Sequence, residues 1–164
     1  METFDAIQKR ASVREYKTDP VDKALLEKLV DAARRAPTAR AVEPWEFVVV
    51  ENRATLKKIG EIAQSGSFIK DAACCIAVFC SDTKYYLEDG SAATENILLA
   101  ARDSGLGACW VAGDKKPYTG EISKLLGAKP DLKLVSLISL GWPKKDVKQL
   151  KNRKLDEVIH WERF

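Results

Sequence analysis

Histidine and methionine each occur once in the 164 residues, and cysteine only four times. A zinc site built from His and Cys needs several ligands at loop spacing. Three of the cysteines instead sit inside the run Cys74-Cys75-Ile76-Ala77-Val78-Phe79-Cys80, which reads as a buried strand. Neighbouring strand residues point to opposite faces, so Cys74 and Cys75 cannot share a metal, and nothing in the spacing suggests a disulfide framework. No metal is expected, and the thiols are read as reduced core residues. No apolar run approaches the roughly 18 residues that cross a bilayer. Acids stand among the first residues, Met1-Glu2-Thr3-Phe4-Asp5-Ala6, where a secretory leader carries bases, and a cytoplasmic location is the expectation. Repeats and low-complexity tracts are also absent, so residues 1–164 are read as one domain.

What is present is a set of short periodic segments. Residues 2–10 read as a short helix, and Asp22 is a helix N-cap candidate ahead of Leu26, Leu29, Val30 and Ala33, with Pro37 stopping that helix. Trp45–Val50 has the β-branched and aromatic content of a strand. A helix over about 54–63, the cysteine-bearing strand 74–80, a long helix over 86–104 and strands at 108–112 and 134–141 follow. Two helices before the first strand predict an α+β, three-layer α/β/α arrangement around a mixed, mainly antiparallel sheet. The segment Ser91–Ala101 is apolar or small almost all round, which requires cover on several sides. A second copy of the chain is the simplest source of that cover, so a homodimer is expected. After Gly141-Trp142-Pro143 the chain loses its periodicity yet ends in Val158, Ile159, Trp161 and Phe164. This 144–164 tail must dock, either on its own domain or as an arm across a partner.

The formal charge of +3 is modest, but it is concentrated. Six basic residues and one acid, Asp146, lie between Lys144 and Lys154, and Lys9, Arg10, Arg14 and Lys17 form a second cluster. In an extended segment positions 10, 12 and 14 face one way, so Arg10, Ser12 and Arg14 would suit a phosphate, since guanidinium forks match phosphate oxygens, although the segment by itself reads first as a solvated basic turn. Lys151 and Arg153 carry further charge that could serve the same anion. The basic tail is not interleaved with stacking aromatics, which argues against nucleic acid.

Arg10-x-Ser12-Val13-Arg14-x-Tyr16 resembles the opening motif of the nitroreductase family, and Ala36-Pro37-Thr38-Ala39-Arg40-Ala41-Val42-Glu43-Pro44-Trp45 is similar to its A-P-S-x-x-N-x-Q-P-W loop. Gly90–Ala101 resembles the family's buried central helix and Gly105-Leu106-Gly107-Ala108-Cys109-Trp110 the strand after it. Leu140-Gly141-Trp142-Pro143 and Val158-Ile159-His160-Trp161-Glu162 resemble its closing motifs, so the likeness spans nearly the whole chain. The resemblance implies a dimer with FMN at the interface, reduced by NADH or NADPH and reoxidised by nitroaromatics, quinones or similar acceptors. Residue by residue, it implies that Arg10, Ala11, Ser12, Arg14, Lys151 and Arg153 hold the phosphate and ribityl chain. Pro37, Thr38, Ala39, Arg40 and Ala41 would line the flavin, from the other subunit, and Ala112 and Gly113 would bring backbone N–H groups to its N5 edge.

Two positions depart from the pattern: Ala41 replaces the family's Asn, and Glu43 its Gln. An inward Glu43 would disfavour a reduced anionic flavin, whereas an outward one would be solvated. No side chain is expected to act as a catalytic nucleophile, since the flavin carries the redox chemistry. His160, Cys109, Trp45 and Trp110 are read as packing residues. Gly105-Leu106-Gly107 lacks the third glycine of a dinucleotide-binding fingerprint and does not open a helix, so the nicotinamide nucleotide would visit the flavin in a ping-pong cycle. Alternative readings are a specialised flavin enzyme such as a reductive dehalogenase, for which the chain between Gly66 and Cys74 is short of lid material, and an FMN-binding protein without turnover.

Overall fold

Side-chain caps and apolar spacing set the helices of the computed structural model, which describes residues 1–164. Helix α1 spans Thr3–Lys9 and α2 spans Lys23–Arg34, where the Asp22 side chain accepts the Ala24 N–H at 3.0 Å, as an N-cap should. Strand β1 is Trp45–Val50, and α3, Arg53–Ile62, opens on Asn52, which accepts the Thr55 N–H at 3.0 Å. Then come β2 (Cys74–Ser81), α4 (Tyr86–Asp103), β3 (Gly107–Ala112), α5 (Thr119–Leu125) and β4 (Leu132–Gly141). Two elements escaped the periodicity reading. Helix α5 has seven residues and buries only Ile122, and Gln64–Asp71 is a 3-10 stretch; neither is long enough to show a period.

The four strands run in the order β1-β2-β4-β3, every neighbouring pair antiparallel. The expected parallel component is confined to one isolated bridge, Ser12 to Ala108, outside the named strands. Strand β2 is central, and Cys74 through Cys80 are all fully buried because both faces are covered. Cys74, Ile76, Val78 and Cys80 face α2 and α4, packing with Leu29, Ile97 and Leu98. Cys75, Ala77 and Phe79 face α3 and α5, packing with Leu56, Ile59 and Ile122. The three-layer arrangement thus follows from the period of two in β2. A register shift opposite Val78 and Phe79 puts one extra β4 residue at that point. Leu134 and Leu137, odd-spaced, consequently fall on the same face.

Helix α4 lies so close to the sheet that a Cβ on Gly90 would come 2.6 Å from Val135 Cγ2. Its buried Thr94 hydroxyl lies 2.8 Å from Ser136 Oγ and donates to Gly90 O at 2.7 Å, which satisfies the one polar pair under the helix. Ala93, Ile97, Leu98 and Ala101 are covered, but the stripe Ala92, Glu95, Leu99 is only half-buried, so the chain by itself leaves one side of α4 open. Val147 packs beside Val13 and Tyr16, but from Leu150 onward the tail is open: Leu150 is 87% exposed, Trp161 82% and Phe164 104%. His160 packs on Phe164 inside the tail, ring centroids 4.6 Å apart. No helix is long and apolar enough to cross a membrane.

Candidate functional site

Tyr16 anchors the segment that carries the arginines. Its ring is buried, its hydroxyl donates to the Val13 carbonyl at 2.5 Å and lies 2.6 Å from Ser139 Oγ, and burial holds its pKa well above the ordinary tyrosine value. Val13 packs directly on Gly107, where a Cβ would approach Val13 Cγ1 to 2.6 Å, and its N–H donates to Ala108 O at 2.9 Å. With residue 13 turned inward, its even-numbered neighbours are left to the rim. The Cys109 thiol senses all three of them: burial pushes its pKa up, while the charge of Arg14, a hydrogen bond with Ser12 and the charge of Arg10 act in the opposite direction. Ser12 bridges to Ala108 at the free edge of β3, and Arg10 and Arg14 flank it, the first beside Glu95 of α4 and the second over Phe68, with Ala11 half-buried.

Little neutralises this cluster. Arg10 Nε is 3.7 Å from Glu95 Oε1, a loose contact, and Arg14 stacks 5.7 Å over the Phe68 ring without a carboxylate partner. Gln149 Nε2 donates to Arg10 O at 2.9 Å, which pins the start of the tail against the cluster and leaves Lys151 two residues beyond the pin. Arg153 is turned away and donates to Glu157 O within the tail.

The loop at 37–43 is built around Asp89, a residue that the sequence reading passed over. Its carboxylate is 5% exposed in the first turn of α4, where a helix N-terminus favours negative charge. It accepts the Thr38 hydroxyl at 2.8 Å and the Ala39 N–H at 3.0 Å, and Thr38 Oγ1 in turn accepts the Glu43 N–H at 3.0 Å. These bonds hold a strained backbone, with Arg40 at φ 59°, Ala41 at 54° and Glu43 at 49°. Pro37, Arg40, Ala41 and Glu43 are all exposed on the free chain.

At the end of β3, Trp110 and Ala112 share one open face; Trp110 is 38% exposed, which corrects its reading as a packing residue, whereas Trp45 is buried. Trp110 is left uncovered toward the far end of an edge strand, although α4 packs on the start of that strand at Ala108. Gly113 spends its N–H on Val135 O at 3.0 Å, and the alternation of an antiparallel ladder then points the Ala112 N–H toward the free edge. Ser12 stands opposite Ala108, four residues before Ala112, a distance of about 13 Å along an extended strand. The loop at 37–43, by contrast, precedes β1 at the opposite edge of the sheet, three strand spacings or about 14 Å away. The arrangement offers an anion cradle, an edge of backbone donors at a fixed distance from it, and a preformed loop that the same chain holds elsewhere.

A nitroreductase family profile matches residues 7–86 and 81–142. An Archaeoglobus fulgidus protein, provisionally named an NADH dehydrogenase/NAD(P)H nitroreductase, is 35% identical over 99% of both chains. A similarly named protein of Bacteroides thetaiotaomicron has a solved structure that superposes with a TM-score of 0.94 at 30% identity, covering 99% of this chain and 98% of that one. The structure of an FMN-dependent nitroreductase from Clostridium difficile gives 0.90 at 28% identity, with coverage of 98% and 99%.

Proposed function

Since this chain belongs to the nitroreductase family, we propose that it is an FMN-dependent oxidoreductase. In this reading it takes electrons from NADH or NADPH and delivers them to nitroaromatic, quinone or similar electron-poor acceptors. The observation that carries the reading is Ser12 bridged to Ala108 at the free edge of β3, with Arg10 and Arg14 flanking it and the Ala112 N–H about 13 Å further along the strand. That separation is on the scale of an extended ribityl phosphate.

Arg10 and Arg14 would supply charge-assisted donors to the phosphate dianion, Ser12 would add its hydroxyl, and Lys151, two residues past the pinned Gln149, would add a further charge. The Ala112 N–H would donate at the ring edge, while Gly113 keeps the turn tight, since a Cβ there would lie 2.6 Å from Leu134 Cγ. When bound, the flavin ring accepts two electrons from the donor and passes them to the acceptor, so no protein nucleophile or metal is needed. The protein's task is to position, and the loop from Pro37 to Ala41 would wall the ring.

Because that loop sits at the opposite sheet edge from the arginines, the two halves of the site complete each other in a homodimer. The same dimer would cover the half-open stripe of α4 and the exposed residues 150–164 of the tail. Arg153 would reach a phosphate only after leaving its contact with Glu157.

The test is the visible spectrum of the freshly purified protein, before and after anaerobic NADH or NADPH, with FMN added to a parallel sample. Flavin bands that bleach with a reduced nicotinamide are expected. Steady-state double-reciprocal plots should then give parallel lines. A protein that stays colourless and takes up no FMN sinks the reading.

A further inference from the structure

Away from the arginines, positive charge gathers around a second cavity, just past the end of β3. A pocket of about 490 Å³ opens there between the start of α4, the turn after Gly113 and the approach to β4. Lys115, Lys116, Lys129 and Lys133 line it against a single acid, Asp114. Asp114 is already engaged: Oδ1 accepts the Tyr86 hydroxyl at 2.6 Å, and Oδ2 is 3.9 Å from Lys115 Nζ. Lys133 pairs with Asp82 at 3.2 Å, outside the lining, while Lys116 and Lys129 have no carboxylate partner. Like charges around one concave surface repel one another until an anion occupies it.

The turn bearing two of these lysines is firmly held. Thr119 Oγ1 donates to Gly113 O at 2.6 Å and lies 2.8 Å from Lys116 O, and the Tyr118 hydroxyl donates to Ala112 O. Lys115 sits at φ 56°, a strained conformation that these side chains maintain. The cations are thus presented by a rigid frame, and a ligand would spend little on ordering it.

We propose that this pocket takes the diphosphate arm of the reduced nicotinamide dinucleotide, with Lys116 and Lys129 as its specificity residues. The inference rests on the proposed function. A donor that lays its nicotinamide on the flavin must still place two phosphate charges somewhere. The chain has no glycine-rich phosphate loop to receive them, because Gly105-Leu106-Gly107 runs into β3 instead of opening a helix. Side-chain cations are what the chain offers them instead, and Asp114 to Lys116 follow Ala112 with only Gly113 between. Lysine binds phosphate as a point charge and needs no particular fork geometry.

The experiment compares the FMN-loaded protein with its K116Q/K129Q variant, using ADP-ribose as a probe that carries the diphosphate without the reacting ring. Calorimetric titration should show ADP-ribose binding weakened about tenfold or more by the double substitution, the effect of losing one to two phosphate contacts. The KM for the dinucleotide should rise by a similar factor with kcat unchanged, since the charges act on a non-reacting arm. FMN content and the visible spectrum should not move, and K58Q, on a different surface, should resemble the parent. Equal ADP-ribose affinity and equal KM in the two proteins would overturn the proposal, as would failure of the parent to bind ADP-ribose. If ADP-ribose binding falls in the variant but neither NADH nor NADPH bleaches the flavin, the pocket serves a free nucleotide diphosphate and the assignment to the donor fails with the donor reading.

Discussion

Strand β2 and the tail at 144–164 are both well supplied with apolar side chains, and they meet opposite fates. Every residue from Cys74 to Cys80 is fully buried, whereas Leu150, Leu155, Trp161 and Phe164 are between 71% and 104% exposed. The strand has a neighbour on either side and helices over both faces; the tail has neither. Contact with the domain ends at Gln149, after Lys145 pairs with Glu15 at 2.8 Å and Arg102 with Asp146 at 3.3 Å. Apolar area left in water forgoes roughly 25 cal/mol per Å², so a tail of this composition carries an unspent driving force for association. Hydrophobicity shows that a segment must be covered, and the surrounding layers decide whether the cover comes from within.

The sharpest way to break the contrast is in the strand. Phe79→Ala empties a fully buried position and should lower stability by about 3–5 kcal/mol in urea unfolding; a loss under about 1 kcal/mol would show that β2 is not tightly packed. Removing residues 150–164 should do the reverse, leaving the unfolding midpoint at low protein concentration nearly unchanged while weakening self-association at least about tenfold, read by sedimentation. A truncated chain with undiminished dimerisation would clear the tail of that role.

A third test concerns the rim, where order depends on single hydrogen bonds. Tyr86 donates to the Asp114 carboxylate, and this bond, with some burial, pushes its pKa up to about 12 from an ordinary 10.0. A folded-state pKa raised above the unfolded one stabilises fully below the unfolded value and is lost as pH climbs through the folded one. Stability should therefore decline between pH 10 and about 12. Tyr86→Phe should cost about 1 kcal/mol at neutral pH and flatten part of that decline. Cys74 and Cys80, whose burial also raises their pKa to about 12, would account for some of the remainder. An unaltered alkaline profile in the variant would mean that the Tyr86–Asp114 bond is not maintained. The smallest effect belongs to Ala41→Asn. At φ 54° Asn is better tolerated than Ala, so thermal stability should rise by about 0.5–1 kcal/mol. A fall would indicate that the Asp89-held loop has no room for the side chain.

Much of this architecture was legible beforehand because it is local. The Asp22 cap, the stop ahead of Pro37, the alternation in β2 and the small-residue face of α4 are each written within a few residues of where they act. The same holds for Ser12, whose place beside β3 follows from the extended segment around it. Asp89 was not legible. Its one signal was an acid placed just ahead of the small and apolar run of α4, and its partners Thr38 and Ala39 lie some fifty positions earlier. Trp110 was misjudged because β-propensity cannot tell an edge strand from a central one.

By itself, then, the sequence determined the four strands and the longer helices, the two apolar faces of β2 and the family, through periods and motifs that span only a few residues. Only the tertiary structure decided that the arginines and the loop stand at opposite edges of the sheet. It alone decided too that four lysines from two distant segments surround one pocket and that the tail has no cover of its own. The physical reason is that edge, pocket and cover are relations between segments far apart in the chain, set by strand order and register, which no local pattern encodes.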